Sequence, residues 1–159
     1  MTFQTQVNLQ PAPGVEGDFA SSNPRATVLA GPGALVAGAA GVTVGRFAWQ
    51  TAGVVSNTGT GVPAGFVHRE MNALITVFLA ESSNLVPQGL PVILYSQGDF
   101  WAKVAVAPAT VGLKVFASLT DGTVQPAAAG ATVAGYIETK WVVASVAAVG
   151  EIAKITTWG

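Results

Sequence analysis

The stretch Lys114-Val-Phe-Ala-Ser-Leu-Thr-Asp-Gly-Thr-Val-Gln125 decides the fold class of this chain. Val and Phe, which favour β-structure, precede Thr120-Asp121-Gly122, and a second short β-like run follows it. An Asp-Gly pair between two such runs is among the strongest local signals for a β-hairpin. We therefore predict a hairpin whose two strands lie at 114–119 and 123–125.

The rest of the chain repeats this alternation of short apolar runs and turns, and no window shows a convincing helical period. Gln97-Gly98-Asp99 predicts a second hairpin. Many short strands without a helix favour an all-β protein: a β-sandwich, a jelly-roll-like fold or a small β-barrel. The further strands are expected at 33–37, 42–49, 53–56, 65–70, 74–79, 91–95, 100–106, 133–138, 141–146 and 152–158.

Charged residues are unusually rare in this sequence. Seven Lys or Arg and eight Asp or Glu make up 9% of the 159 residues, and 50% are hydrophobic. An ordinary soluble domain is about 25% charged. The chain therefore lies in a membrane, or has a largely uncharged polar surface, or is partly covered by other protein chains. The scattered basic residues form no patch for a phosphate backbone, so we expect no nucleic-acid partner.

The charge-free run 26–45 tests the membrane alternative. Gly31, Pro32 and Gly33 interrupt it near its start, large apolar side chains are few, and its end is β-branched, so it does not resemble a spanning helix. The first residues lack a basic region followed by an apolar core, so no signal peptide is visible. We expect no membrane association.

The first 25 residues differ from the rest and predict an extended N-terminal arm, followed by a single β-domain at 26–159. Gln, Asn, Ser, Pro and Gly dominate this segment and favour extended or turn backbone. Phe3, Val7 and Leu9 alternate with polar residues at a strand period, as expected of an edge strand added to a neighbouring subunit. A simple floppy terminus is the alternative.

No residue pattern indicates a catalytic, metal or cofactor site. The chain has no Cys and one histidine, His68, for which we expect a structural role, and its carboxylates are scattered. The glycine-rich segments match no phosphate-binding spacing. Trp49, Trp101 and Trp141 border strand-like runs, which predicts core or interface positions. Trp158, next to the C-terminus, suggests that the terminus is held in place, between subunits for example.

Several segments, in this order and spacing, resemble the structural cement, or head decoration, proteins of tailed bacteriophages. The resemblance covers nearly the whole chain. The segments are Gly14-Val-Glu-Gly-Asp-Phe-Ala-Ser-Ser-Asn-Pro-Arg25, Ala30-Gly-Pro-Gly-Ala-Leu-Val-Ala-Gly38, Val42-Thr-Val-Gly-Arg-Phe-Ala-Trp49, Gly65-Phe-Val-His-Arg-Glu70, Gly98-Asp-Phe-Trp101, Lys114-Val-Phe-Ala117, Glu138-Thr-Lys-Trp141 and Ile155-Thr-Thr-Trp-Gly159.

The resemblance implies a β-rich, non-enzymatic protein that needs no cofactor and binds the outer surface of a phage head. It would form a homodimer or homotrimer and stabilise the shell by bridging major capsid subunits. The alternative is a β-module of the tail or baseplate that binds host glycans through exposed Trp side chains.

The expected contacts with other subunits lie in the arm, in the charge-free run and at the C-terminus. Arginines are included because Arg is enriched in protein interfaces. The candidate interface residues are Phe3, Val7, Leu9, Asp18, Phe19, Arg25, Arg46, Arg69 and Trp158.

Overall fold

The computed structural model describes residues 14–70 and 84–159, so the strand expected at 74–79 lies outside the described residues. Within these ranges the chain forms thirteen strands and no helix. The strands are β1 (Ala26–Thr27), β2 (Val36–Ala37), β3 (Val42–Thr43), β4 (Phe47–Thr51), β5 (Val54–Ser56), β6 (Gly65–Val67), β7 (Leu85–Val86), β8 (Leu94–Gln97), β9 (Asp99–Lys103), β10 (Lys114–Ser118), β11 (Val124–Ala127), β12 (Tyr136–Val143) and β13 (Ile152–Thr156).

The strands form three sheets, which confirms the all-β prediction in its sandwich form. The larger sheets have the orders β1-β8-β6-β4-β5-β2 and β11-β10-β12-β13-β9, and β3 pairs with β7 in a small ribbon. Over the described ranges the sheets do not close into a barrel. No helix in this part of the chain is long and apolar enough to cross a membrane.

The six-stranded sheet is buried on both faces. Phe47 and Phe66 point into one core cluster together with Trp141 of the five-stranded sheet. Their strand neighbours Ala48 and Val67 belong to a second cluster. Because successive side chains of a strand alternate between faces, the two clusters lie on opposite sides of this sheet. The sheet is therefore the middle layer of the molecule.

The second cluster is covered by the charge-free run and by the ribbon of β3 and β7. Leu35, Val42 and Val44 contribute to it from the run, and Val86 packs against it from β7. Burial on both sides explains why β4 and β6 begin as continuous apolar runs rather than as alternating ones.

The hairpin predicted around Asp121-Gly122 is confirmed. β10 and β11 are antiparallel, with Ala117 opposite Val124. Gly122 has φ +70°, a conformation that L side chains rarely adopt. It also lies against the backbone of Phe47, whose N–H donates to Gly122 O at 2.8 Å, so the turn is fixed to the middle layer.

The second predicted hairpin, at Gln97-Gly98-Asp99, is wrong. β8 belongs to the six-stranded sheet and β9 to the five-stranded sheet, so the two do not pair. Gly98, at φ +140°, carries the chain from one layer to the next. A Gly between two polar residues marks a change of direction, but the change here joins two sheets instead of two strands of one sheet.

Two other predictions differ from the structure in how the chain is divided into strands. The expected strand 42–49 is split into β3 and β4 because Gly45, at φ +73°, makes a turn between them. The expected strands 133–138 and 141–146 are one strand, β12, which pairs with both β10 and β13.

Candidate protein-interaction surface

The end of the predicted arm that the structure describes, residues 14–25, lies against the β-domain of its own chain, and we call it the arm root. It runs antiparallel to β9, the edge strand of the five-stranded sheet. Gly17 N–H donates to Trp101 O at 2.8 Å, and Trp101 N–H donates to Asp18 O at 2.9 Å. Ala20 N–H donates to Asp99 O at 2.9 Å, so the arm root extends this sheet beyond β9.

Gly17 ties the arm root to the other large sheet. Its carbonyl accepts the backbone N–H of Arg69 at 3.0 Å and lies 2.8 Å from Nδ1 of His68. A carbonyl only accepts, so Nδ1 of His68 carries the proton in this contact. Gly17 has φ +90°, and a Cβ there would come within 3.0 Å of both Arg69 and Gly45. Glycine is therefore required where the arm root passes between the two sheets.

Phe19 is the apolar anchor of the arm root. Its ring stacks on His68 with centroids 3.9 Å apart and meets Phe100 and Tyr95 at 5.2 and 5.4 Å. The guanidinium of Arg25 lies 3.8 Å from the ring centroid on a cation–π contact. Phe19 thus packs against the main core cluster of its own chain. Its interface role stays a prediction, as does that of Arg25.

Asp99 joins the arm root to the C-terminal strand, a role that no sequence pattern indicated. Its carboxylate accepts hydrogen bonds from the hydroxyls of Ser21 and Thr156, both at 2.5 Å, and from the amide of Asn23 at 2.6 Å. Burial alone would raise the pKa of Asp99, but these three hydrogen bonds outweigh it and hold the pKa below 3.8. The ionised carboxylate of Asp99 is therefore the form that holds the arm root and the C-terminal strand together.

Glu16, on the same segment, has the opposite electrostatic situation. Burial raises its pKa above 4.5, and the nearby charges of Arg46 and Lys103 offset this only in part. Its side chain occupies the space beside Gly45 that a Cβ would need. The turn that splits β3 from β4 therefore accommodates the arm root.

The other predicted charged anchors also have partners within the chain. Arg69 Nη1 lies 3.6 Å from Asp18 Oδ1, and Arg46 Nη1 lies 3.5 Å from Asp121 Oδ2. Both pairs are partly exposed, so each is worth little to stability by itself. Their roles in contacts with other subunits stay predictions. The arm residues Phe3, Val7 and Leu9 lie outside the described residues.

Three of the four tryptophans are buried and the fourth is exposed. Trp49, Trp101 and Trp141 are buried in their own chain, so of the two predicted positions, core or interface, they occupy the core. The side chain of Trp158 is 53% exposed. The backbone beside it is held by Thr157, which exchanges hydrogen bonds with Gly98 at 3.0 and 3.2 Å. A sugar-binding platform of several tryptophans is not available on this surface.

The charge-free run 26–45 is half interior and half surface. Its second part, from Leu35 onward, is mostly buried, whereas residues 26–34 are mostly exposed and Leu29 is 86% exposed. We call residues 22–34 the edge surface, since it includes β1, the edge strand of the six-stranded sheet. Its only charged residue is Arg25. The sequence indicated the run but not which half would be exposed.

The edge surface has features suited to binding another protein. An open hollow lies between residues 31–34 and the turn that joins β4 to β5, lined by neutral residues that include Gln50 and Gly53. The outer side of β1 pairs with no other strand of the described residues. Open strand edges accept strands from other chains. In the described part of the chain no group of three His, Asp or Glu side chains could hold a metal ion.

A family model described as "XM1 gp53 minor capsid protein" matches residues 3–157. The chain belongs to the XM1 gp53 minor capsid protein family. The match confirms the expectation of a structural protein of a phage head. It covers the arm root, the edge surface and almost all of the β-domain.

A solved structure supports the fold of this XM1 gp53 family member. A chain in "The capsid of Myoviridae Phage XM1" superposes with a TM-score of 0.67 at 18% sequence identity. The alignment covers 99% of this chain and 98% of that chain. At this identity the likeness shows a shared fold. No curated protein matches the sequence.

Proposed function

We propose that this capsid component is a decoration, or cement, protein that binds the outer surface of the phage head. It bridges neighbouring major capsid subunits, associates with copies of itself as a homodimer or homotrimer, and acts by binding alone, without catalysis. The 26–159 domain carries most of the fold, and the arm, 1–25, reaches the neighbouring subunit through the residues that precede the arm root.

The observation that carries this proposal is the edge surface. An exposed run of thirteen residues with one charge, including a leucine that is 86% exposed, offers a partner a surface with little charge to desolvate. Burying Leu29 in a pocket of a partner would contribute about 2 kcal/mol. A strand of the partner pairing with β1 would add main-chain hydrogen bonds.

The proposed bridging depends on how the arm root is attached to the rest of the chain. The arm root is fixed to β9 and to the segment after β6 by four backbone hydrogen bonds of 2.8–3.0 Å. A fixed root lets a load on the residues before it reach both large sheets. A standard protein contact buries about 1,600 Å². Many such contacts on one shell favour the assembled state by mass action.

Co-sedimentation with phage shells that lack the protein tests the proposal. Two changes should each weaken binding at least about tenfold: Leu29→Asp, and deletion of residues 2–13, which leaves the arm root in place. Val62→Asp is the matched control, because Val62 is also an exposed aliphatic residue at 67%. Circular dichroism checks that each variant is folded. Wild-type binding by both the Leu29 variant and the truncated chain would refute the proposal.

A further inference from the structure

A second surface, this one without any charge, lies beyond the end of β9 and the start of β13. It consists of residues 105–112, which follow β9, and residues 144–150, which precede β13, and we call it the loop end. Neither segment contains a charged residue. It displays exposed valines, with exposed fractions of 58% for Val106, 61% for Val111, 75% for Val146 and 51% for Val149.

Backbone hydrogen bonds hold the two segments together. Ala109 and Ala147 exchange both of their hydrogen bonds, at 2.8 and 3.2 Å. Gly112 N–H donates to Val143 O at 2.9 Å, and Gly150 N–H donates to Val104 O at 2.8 Å. Ala109 and Ala147 are buried, so the valines project from a supported base. A surface fixed in advance loses little conformational entropy when it binds.

We propose that the loop end is the surface through which two copies of this chain associate. This rests on the self-association included in the proposed function and assigns it to particular residues. In a two-fold contact both copies use the same patch, with residue i of one copy meeting residue j of the other and j meeting i, so a patch with an excess of one charge sign would repel itself. The loop end has no charge to create this repulsion, and its apolar valines match themselves.

The charges around the loop end are compatible with this contact. The nearest ones in the sequence are Lys103, Lys114 and Glu151, so the border carries charges of both signs. Glu151 Oε2 already accepts the N–H of Ala148 at 3.0 Å. The arm root, in contrast, carries acidic groups that face basic groups of the same chain: Asp18 lies near Arg69, and Glu16 lies near Arg46 and Lys103.

The position of the loop end leaves the edge surface free. Val28 N–H, on the edge surface, donates to Leu94 O at the start of β8, whereas the loop end begins just after β9. β1 of the edge surface belongs to the six-stranded sheet, whereas the loop end lies beyond two strands of the five-stranded sheet, so the two surfaces belong to different layers and share no residue. One surface can bind a second copy while the other binds the shell. Two linked copies would then bind the shell more tightly than either alone.

Charge substitution tests the proposal on the free protein, without shells. We expect wild-type protein to be associated at tens of micromolar in sedimentation velocity. Val106→Asp combined with Val146→Asp gives an acidic loop end, and Val106→Lys combined with Val146→Lys gives a basic one. Each double variant should associate at least about tenfold more weakly than wild type, because like charges then face one another. An equimolar mixture of the two should recover association, because opposite charges then meet.

Val62→Asp is the control again and should leave the association unchanged. A wild-type protein that is monomeric at these concentrations would overturn the proposal, as would double variants that associate like wild type, or a mixture that stays monomeric. The readout is separate from shell binding. If copies associate through the loop end but wild-type protein does not bind shells, the proposed function fails and this assignment stands.

Discussion

The arm root and the loop end are two peripheral parts of the same sheet, yet they are built in opposite ways. The arm root is held by Phe19 in an aromatic cluster and by Asp99, whose carboxylate accepts three hydrogen bonds. The loop end displays apolar side chains that contact little of their own chain, such as Val106 and Val146. A region whose groups are satisfied within the chain serves stability, whereas one whose groups are left exposed is available for a partner.

Truncating one side chain in each region gives the largest expected contrast. Phe19→Ala should lower the free energy of unfolding by about 2–3 kcal/mol, because a half-buried ring leaves a cavity among Phe100, Tyr95 and His68. Val106→Ala should change it by less than about 0.5 kcal/mol, since the side chain is mostly exposed. Urea denaturation monitored by tryptophan fluorescence measures both. Equal effects would remove the distinction between the two regions.

A smaller change in stability is expected from removing the charge of Asp99, whose carboxylate joins the arm root to the C-terminal strand. Asp99→Asn should destabilise the chain by about 1–2 kcal/mol at neutral pH, because charge-assisted hydrogen bonds to a partly exposed carboxylate become neutral ones. The folded-state pKa of Asp99 is lowered, so its contribution is complete above 3.8 and is lost as the pH falls through the folded pKa. The difference in the free energy of unfolding between wild type and variant, measured by urea denaturation, should therefore become smaller below pH 3.8. A difference that is independent of pH would show that charge is not the cause.

The smallest effect has the opposite sign. The folded-state pKa of Glu16 is raised, so its ionisation costs stability, and this cost grows as the pH rises from 4.5 through the folded pKa. Glu16→Gln should therefore stabilise the protein at neutral pH by less than about 1 kcal/mol, because partial exposure and the charges of Arg46 and Lys103 limit the gain. The two proteins should converge in stability below pH 4.5. Destabilisation by this variant at pH 7 would show that attraction to the two cations outweighs burial.

Turns that depend on a few adjacent residues were the features best predicted from the sequence. Asp121-Gly122 gave the hairpin of β10 and β11 because a tight turn depends on a few adjacent residues. The turn between β4 and β5 had no comparable signal. There Ala52, at φ +51°, takes a position that usually favours Asn, Asp or Gly, because the pairing of Thr51 with Val54 requires it.

Contacts between segments that are distant in the sequence could not be predicted from local signals. Asp99 is 76 and 78 residues from two of its partners, Asn23 and Ser21. The local sequence around these residues does not indicate that they form hydrogen bonds with one another. Gly17 is 51 residues from His68, whose ring fixes it. The sequence identified the segment 1–25 as unusual, and only the folded chain shows that its last residues pack on their own β-domain.

By itself the sequence determined the all-β class, the principal turn and the shortage of charge, because these depend on residue type and on neighbours along the chain. The tertiary structure alone decided which neutral residues are covered. Residues 26–34 and 35–45 have similar compositions, but the second segment lies over the middle sheet and the first lies at its edge. Burial is set by what packs against a residue, and for these strands the packing partners are far away in the sequence.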